Sequence, residues 1–474
     1  MDDRVVVIGG GPAGLTACYE LAKAGLRATV LERESILGGI SRTDEYKGYR
    51  FDIGGHRFFT KCKEVDELWT EMLGSEMLDR PRMSRVFYRG RFFQYPLRPV
   101  DALRNLGLCT AVACVASYCR WRLLPYRDES TFEQWVTNRF GKRLYGIFFK
   151  TYTEKVWGVP CSEISADWAA QRIKGLSLLD AIKNAVGGGK GGAAITTLID
   201  RFRYPRLGPG QMWERAADLS RGAGQEVVLQ RCVGRVVHER GRVRALAASV
   251  PGGDTVEVEG SHFISSMALR DLVEGMDPPA PDPVVEAARR LRYRDFVTVG
   301  LIVAKADVFP DNWIYIHSPE VRMGRIQNFK NWSPSMVPDR SMTCLGLEYF
   351  VHEGDDLWSA SDASLIDLGA RECSELGFVK PDEVVDGVVV RIPKAYPVYD
   401  RGYQDRLGVI REWLAGLGNL QCVGRNGQHR YNNSDHSMLT AMLAVRNLLG
   451  ESHDIWSVNT EQEYHEERRA PSTT

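Results

Sequence analysis

The sequence has no surplus of either charge, no apolar run of membrane-spanning length, no closely paired cysteines and no leader-like start. Each absence removes a class of function. Lys+Arg and Asp+Glu both number 61, a formal net charge of +0, so no overall positive field exists to hold nucleic acid, and any basic site must be local. The longest apolar stretch, Leu106 to Cys119, is shorter than the roughly 20 residues that cross a bilayer as a helix. The ten cysteines include no CxxC pair and no Cys/His cluster at zinc spacing, so reduced thiols in a cytoplasmic protein are expected and no metal site. Met1 to Arg4 runs directly into Val5–Ile8, without a basic leader or a small-residue cleavage site, and the expectation is a mature start. A phosphate loop of the Walker kind is also missing. Its nearest approach, Gly187 to Gly192, has Gly191 after Lys190 where Ser or Thr is needed, and by composition reads as a flexible hinge or lid.

What is present is an ordinary globular balance over 474 residues, 44% hydrophobic and 26% charged, enough for about three domain-sized units. Val5 to Ile8 is a short apolar run ending at Gly9. A helical pattern through Leu15, Tyr19, Leu21, Ala22 and Leu26 follows, and a second strand, Ala28 to Leu31, ends at Glu32. This βαβ start predicts a parallel sheet with its ligand crevice at the carboxyl ends of the strands. Residues 63–185 read as helical and strand-poor. Leu106 to Cys119, followed by Arg120, Arg122 and Arg127, is expected to be a core helix, the alternative being a basic amphipathic helix on a membrane surface. Glu226 to Val237 and Arg242 to Ala248 alternate like antiparallel strands, and His262 to Ser266 is a buried run. Phe296 to Ala304, Trp313 to His317 and Thr343 to Phe350 suggest a second sheet. Glu372 to Leu376, Leu407 to Leu417 and Ser437 to Leu449 read as helices, and Gln421 to Gly424 as a last strand.

The expected fold class is therefore α/β, α+β overall: a Rossmann-type dinucleotide domain assembled from 1–62, 195–268 and 415–450, an inserted helical domain at 63–190, and an antiparallel-sheet substrate domain at 269–414. A polar tail at 451–474 completes the chain.

Gly9-x-Gly11-x-x-Gly14, with Pro12 and Ala13 inside it, follows a strand, opens a helix, and has Glu32 eighteen residues beyond Gly14. Gly9 permits the tight turn, Gly11 lets backbone approach a pyrophosphate, and Gly14 allows close helix packing. The helix N-terminus offers its dipole to the phosphates, and Glu32 is placed for a ribose. The next stretch, Glu32-Arg33-Glu34-Ser35-Ile36-Leu37-Gly38-Gly39-Ile40-Ser41-Arg42, resembles the flavin-binding extension of the amine oxidase and protoporphyrinogen oxidase superfamily. The resemblance implies non-covalent FAD, contacted also at Arg33, Gly38, Gly39, Arg42 and Val233. No second GxGxxG follows a strand, so NAD(P)H would serve only as an external reductant.

Four further segments, in order, are similar to the UDP-galactopyranose mutases of the same superfamily. Phe51 to Phe59 resembles their glycine and histidine loop, which implies that Gly54, Gly55 and His56 lie at the flavin. Tyr152 to Gly158 resembles the segment in which Tyr152 and Trp157 would line a nucleotide pocket, with Arg172 for the diphosphate. Arg203 to Gly210 resembles a turn placing Tyr204 between substrate and flavin. Gly424 to Asp435 resembles the closing segment, with Gly424, Arg425, Asn433 and Asp435 at the flavin and Tyr431 at the diphosphate. Arg294 and Arg325 fall in mutase-like settings and would neutralise a diphosphate. Met323 departs from the family, where a tyrosine is expected, and so does Asn433, near an expected acid. Two functions follow from the resemblance. One is a redox-neutral mutase, in which reduced flavin N5 attacks the anomeric carbon of a nucleotide sugar and the ring recloses differently, with His56, Arg294, Arg325 and Arg425 catalytic. The other is an FAD-dependent oxidoreductase acting on an anionic sugar or natural product. Either would be a soluble, possible homodimer with a small-molecule substrate, no nucleic acid and at most peripheral membrane contact.

Overall fold

The computed structural model describes residues 4–95, 105–166 and 200–459. Arg172, the glycine stretch 187–192 and the polar tail from Glu461 lie outside the described residues.

Val5 to Ile8 are all buried because the strand Arg4–Ile8 is the centre of a five-stranded sheet. Its strand order is Leu420–Cys422, His262–Ser265, Arg4–Ile8, Arg27–Leu31 and Glu226–Val228, and every pair is parallel. A central parallel strand is covered on both faces and so reads as an unbroken apolar run. The helix Pro12–Lys23 packs on the helix Ser434–Leu448 through small residues, Ala13 and Ala17 against Ala441 and Ala444, which lets the two N-termini converge on one end of the sheet. Glu226–Val228 is thus a parallel strand. Only Cys232–Glu239 pairs antiparallel with Arg242–Ser249, in a separate four-stranded sheet.

The third sheet has seven strands in the order Val384–Pro397, Tyr293–Val303, Thr343–Val351, Arg325–Asn328, Trp313–Ile316, Ser84–Tyr88 and Arg91–Gln94. It corrects the expected helical insertion. Within 63–94 the chain makes the helix Lys63–Leu73 and then three strands, two of which extend this sheet while Met77–Pro81 pairs with Arg201–Pro205. Met77–Pro81 and Ser84–Tyr88 find partners more than a hundred residues away, which local periodicity does not record, while Arg91–Gln94 closes a hairpin on Ser84–Tyr88. The expected boundary at 268/269 also falls inside packed structure. Met276–Asp277 pairs with the four-stranded sheet, and Leu269, Val284 and Leu407 share one core with Val6 and Leu246. Helices run over Asp362–Glu375 and Tyr403–Leu414, each longer at its N-terminal end than the sequence pattern indicates, and the last helix begins at Ser434.

Gly300 and Gly346 face each other on the adjacent strands Tyr293–Val303 and Thr343–Val351 of the seven-stranded sheet. A Cβ at Gly300 would stand 2.6 Å from the Phe51 ring, and one at Gly346 would stand 2.5 Å from Phe329. The two glycines open a slot in which Phe51 and Phe329 meet edge to face, 6.0 Å apart, and this seats the segment leading to His56 on the sheet. Replacing Gly300 by valine overpacks the slot. The expected cost is about 1–3 kcal/mol of unfolding free energy, measurable by urea denaturation, and an unchanged midpoint would refute the slot.

Candidate active site: a dinucleotide cleft opening on an aromatic chamber

At the carboxyl end of the parallel sheet lies a cavity of about 270 Å³. Thirteen of the residues expected at the cofactor line it, among them Gly9, Gly11, Pro12, Ala13, Glu32, Arg33, Gly39, Arg42 and Val233 from the first two strands, the glycine loop and the second sheet. His56, Gly424, Arg425 and Asn433 line it from the other side. Gly11 is the N-cap of the first helix and supplies no side-chain cap, so the first-turn N–H groups are left for a ligand. Glu32 is 7% exposed, and its two oxygens accept the N–H groups of Gly10 (2.5 Å) and Glu34 (2.7 Å). Each oxygen keeps a lone pair that a ribose hydroxyl can use.

The loop 38–42 is pinned from both ends. Gly38 N–H donates to Gly10 O at 2.8 Å, and Trp213 Nε1 donates to Ser41 O at 3.0 Å. The second helix N-terminus is capped by Asn433 and His436 and reaches the cavity through Asn433, Ser434 and Ser437. Gly14, Gly38, Gly54, Gly55 and Asp435 do not line the cavity. Gly14 and Gly38 act through packing, and Asp435 lies buried in the first turn of the last helix. The donors, the uncapped helix end and the buried carboxylate suit a dinucleotide with a pyrophosphate.

Beyond His56 the arginines and rings form an inner chamber. Arg425 donates to Asn432 O (2.8 Å) and Ala395 O (3.2 Å), and its guanidinium lies over the Tyr431 and Tyr396 rings at 4.7 and 5.4 Å. Tyr396 stacks on Tyr431, and Trp157 tilts against Tyr431 at 6.3 Å. Arg325 is paired through Nε with Glu348 and donates through Nη2 to the Tyr396 hydroxyl at 3.2 Å. Tyr152 stacks on His317 at 4.7 Å and meets Tyr315 edge on. Burial, reinforced by Arg425 and then Arg325, lowers the His56 imidazole to about 3. His56 is therefore neutral near pH 7, with Nδ1 buried and without a hydrogen-bond partner.

Three expectations are corrected here. Arg294 is 6% exposed and donates to the carbonyls of Val156 (3.2 Å), Lys155 (3.4 Å) and Phe350 (2.6 Å), so it closes the C-terminal end of the helix Thr151–Trp157. Tyr204 is 0% exposed, and its hydroxyl bonds Asp52 inside a hydrophobic core. Trp157 is 2% exposed and presents core packing more than open surface. Met323, where the mutases would carry tyrosine, is itself buried in the sheet core. Sequence reasoning missed Glu348, Tyr396, Lys394 and Asp271. Lys394 and Asp271 form an ion pair at 2.6 Å on the cleft wall. A charge inside the apolar strand Thr343–Val351 was the available signal for Glu348. Lys394 carried none.

His317 behaves as His56 does: burial, with Lys155 near, lowers it to about 3 from the ordinary 6.5. Below pH 6.5 the unfolded chain takes up a proton that the folded protein refuses. The stability tied to His317 is therefore complete above that value and is lost as pH falls, by about 1.4 kcal/mol per pH unit. His317→Phe keeps a ring on Tyr152 and removes the titration. Between pH 6.5 and 5 it is expected to lose about 2 kcal/mol less than the parent in urea unfolding; parallel losses would contradict the assignment.

Residues 7–72 match a family model described as an NAD(P)-binding Rossmann-like domain. The chain superposes on a crystal structure of reduced UDP-galactopyranose mutase with a TM-score of 0.83 and 22% identity, covering 97% of this chain and 98% of that one. The protein named "Probable UDP-galactopyranose mutase" from Klebsiella pneumoniae is 26% identical over 171 residues, 34% of this chain and 43% of that relative, so less than half of its length is matched. Coproporphyrinogen III oxidase of Mycobacterium tuberculosis is 23% identical over 463 residues, 89% of this chain and 95% of that one. What these similarities establish is a Rossmann-like segment over residues 7–72 and a mixed α/β fold shared with the mutase structure.

Proposed function

Proceeding from that fold, we propose that the protein is an FAD-dependent enzyme that rearranges the sugar ring of a nucleoside-diphosphate sugar. The glycine turn and the first helix N-terminus would hold the pyrophosphate, Glu32 a ribose, Val233 the adenine side, and Gly39 and Arg42 the ribityl chain. Gly424 and the end of the last helix would hold the ring system. When bound, the flavin supplies a nucleophilic nitrogen or a two-electron carrier.

The observation that carries the mutase reading is the chamber's polar inventory. It consists of two guanidiniums, Arg425 and an Arg325 already paired with the buried Glu348, together with a neutral His56 and tyrosine rings. A nucleoside diphosphate departs as a stable anion and needs cations to receive it, with no proton donor. Tyr152, Tyr396 and Tyr431 offer stacking faces for base and sugar and displace water. Arg294 and Trp157 hold the helix that presents Tyr152, which makes them positioning residues in this reading. An oxidoreductase reading is favoured by one observation, the 89% coverage by the porphyrinogen oxidase.

One experiment separates the two. The protein, reduced under argon with dithionite or NAD(P)H, is offered UDP-, GDP- and dTDP-hexoses, and the products are resolved as pyranose and furanose forms by chromatography and NMR. Ring isomers formed without net flavin oxidation are expected. No isomer from any sugar, together with bleaching of the oxidised protein by a candidate reductant, would establish the oxidoreductase instead.

A further inference from the structure

We propose that the helix Leu108–Leu123 docks the protein on an anionic lipid bilayer, lying in the plane of the surface. The helix is buried on one side only, at Cys114 and Tyr118, which corrects the expectation of a core helix. Four of the large apolar side chains left in solvent belong to it or to its end: Leu108 at 81%, Val112 at 61%, Leu123 at 80% and Leu124 at 72%. At 3.6 residues per turn, Leu108, Val112, Ala116, Cys119 and Leu123 fall within an arc of about 80°. Arg120 and Arg122 flank that arc on either side. An apolar stripe bordered by arginines is the pattern of a helix seated at the headgroup boundary.

Charge decides the occupant. From Asn105 to Arg127 there is no Asp or Glu, while Arg120, Arg122 and Arg127 are present. The side chains of Arg122 and Arg127 make no hydrogen bond or ion pair among the described residues. The helix Phe132–Leu144, packed against the buried side, adds Lys142 and Arg143 next to Ser117, and its neighbouring Glu129 is already paired with Arg139 at 2.8 Å. Glu133 and Asp128 are the remaining acids nearby in sequence. Trp121, whose ring lies 4.6 Å from Tyr126, falls on the opposite side of the helix from the stripe, toward Cys114 and Tyr118. No helix among the described residues is long and apolar enough to cross a membrane, so attachment here is to the surface.

The test is vesicle flotation of the full-length protein, with phosphatidylcholine alone and with phosphatidylcholine mixed with phosphatidylglycerol, at low and high salt. The protein is expected to float with the anionic vesicles and to be released by salt. Leu108→Glu/Val112→Glu/Leu123→Glu should weaken partitioning roughly tenfold or more, and Arg120→Glu/Arg122→Glu should do so on anionic vesicles alone. All three substituted leucine and valine positions are exposed, and unchanged circular dichroism and melting temperature certify the fold. Flotation that neither variant alters would overturn the proposal. So would a protein that ignores both vesicles but is a dimer by light scattering and becomes monomeric in the stripe variant, because a second copy would then be the occupant.

Discussion

Gly14→Ala is expected to yield protein that purifies without flavin and unfolds at lower denaturant concentration. Gly14 is the third residue of the first helix, and within a helix alanine ordinarily gains up to about 0.5–1 kcal/mol over glycine. Here the added Cβ would stand 1.8 Å from Gly9 O and 3.3 Å from Val7 Cγ1. Those are atoms of the turn and strand that carry the phosphate site, and backbone cannot step aside as the tip of a side chain can. The helix must shift away from the strand, taking its first-turn N–H groups with it. We expect a loss of about 2–3 kcal/mol, at the upper end for overpacking, and absence of the flavin absorbance. Gly222→Ala provides the control, since it lies in a helix and its Cβ position has nothing within 4 Å. That change should be neutral or slightly stabilising. Retention of both flavin and stability in Gly14→Ala would show that the helix is not held by this contact.

The second large effect is expected at Glu348. It is 0% exposed in the middle of a strand, and accepts from Arg325 and, at 2.7 Å, from Gln327 Nε2. Glu348→Ala leaves Arg325 charged and largely enclosed with no carboxylate. Breaking a buried pair from one side costs about 3–5 kcal/mol. Removing both partners, as in Glu348→Leu with Arg325→Met, substitutes packing for charge and should restore most of that loss. Stability measured by urea unfolding then reports the pair, while activity reports the chamber. In the double variant the first should recover and the second should not, if Arg325 also receives a diphosphate. A single Glu348→Ala variant as stable as the parent would remove the pair from the account of the site.

The cofactor cleft was legible in the sequence to a degree that the chamber was not. Gly9, Gly11, Gly14 and Glu32 act through local backbone geometry: a strand end, a turn and a helix start joined within thirty-odd residues. Spacing along the chain is then nearly spacing in space. Arg294 shows the opposite situation. An arginine in an apolar strand has a function set by whichever acceptors reach it, and here those are carbonyls at the end of a distant helix. Tyr204 was drawn into the core by Asp52, 152 residues before it. Leu106 to Cys119 misled for another reason, because a helix apolar on both faces has no polar side to mark the one left in solvent.

By itself the sequence determined the parallel βαβ start, the glycine turn, the acid at the end of the second strand and the shortness of its longest apolar run. All of these follow from residue types acting on their near neighbours. Only tertiary structure decided which arginines gather at the cleft and its neighbouring rings and which close a helix, that Ser84–Gln94 belongs to the seven-stranded sheet, and that Glu348 anchors Arg325. Those outcomes depend on contacts between segments distant in the chain, where the burial of a charge or a ring selects its partner, and composition and periodicity carry no record of that selection.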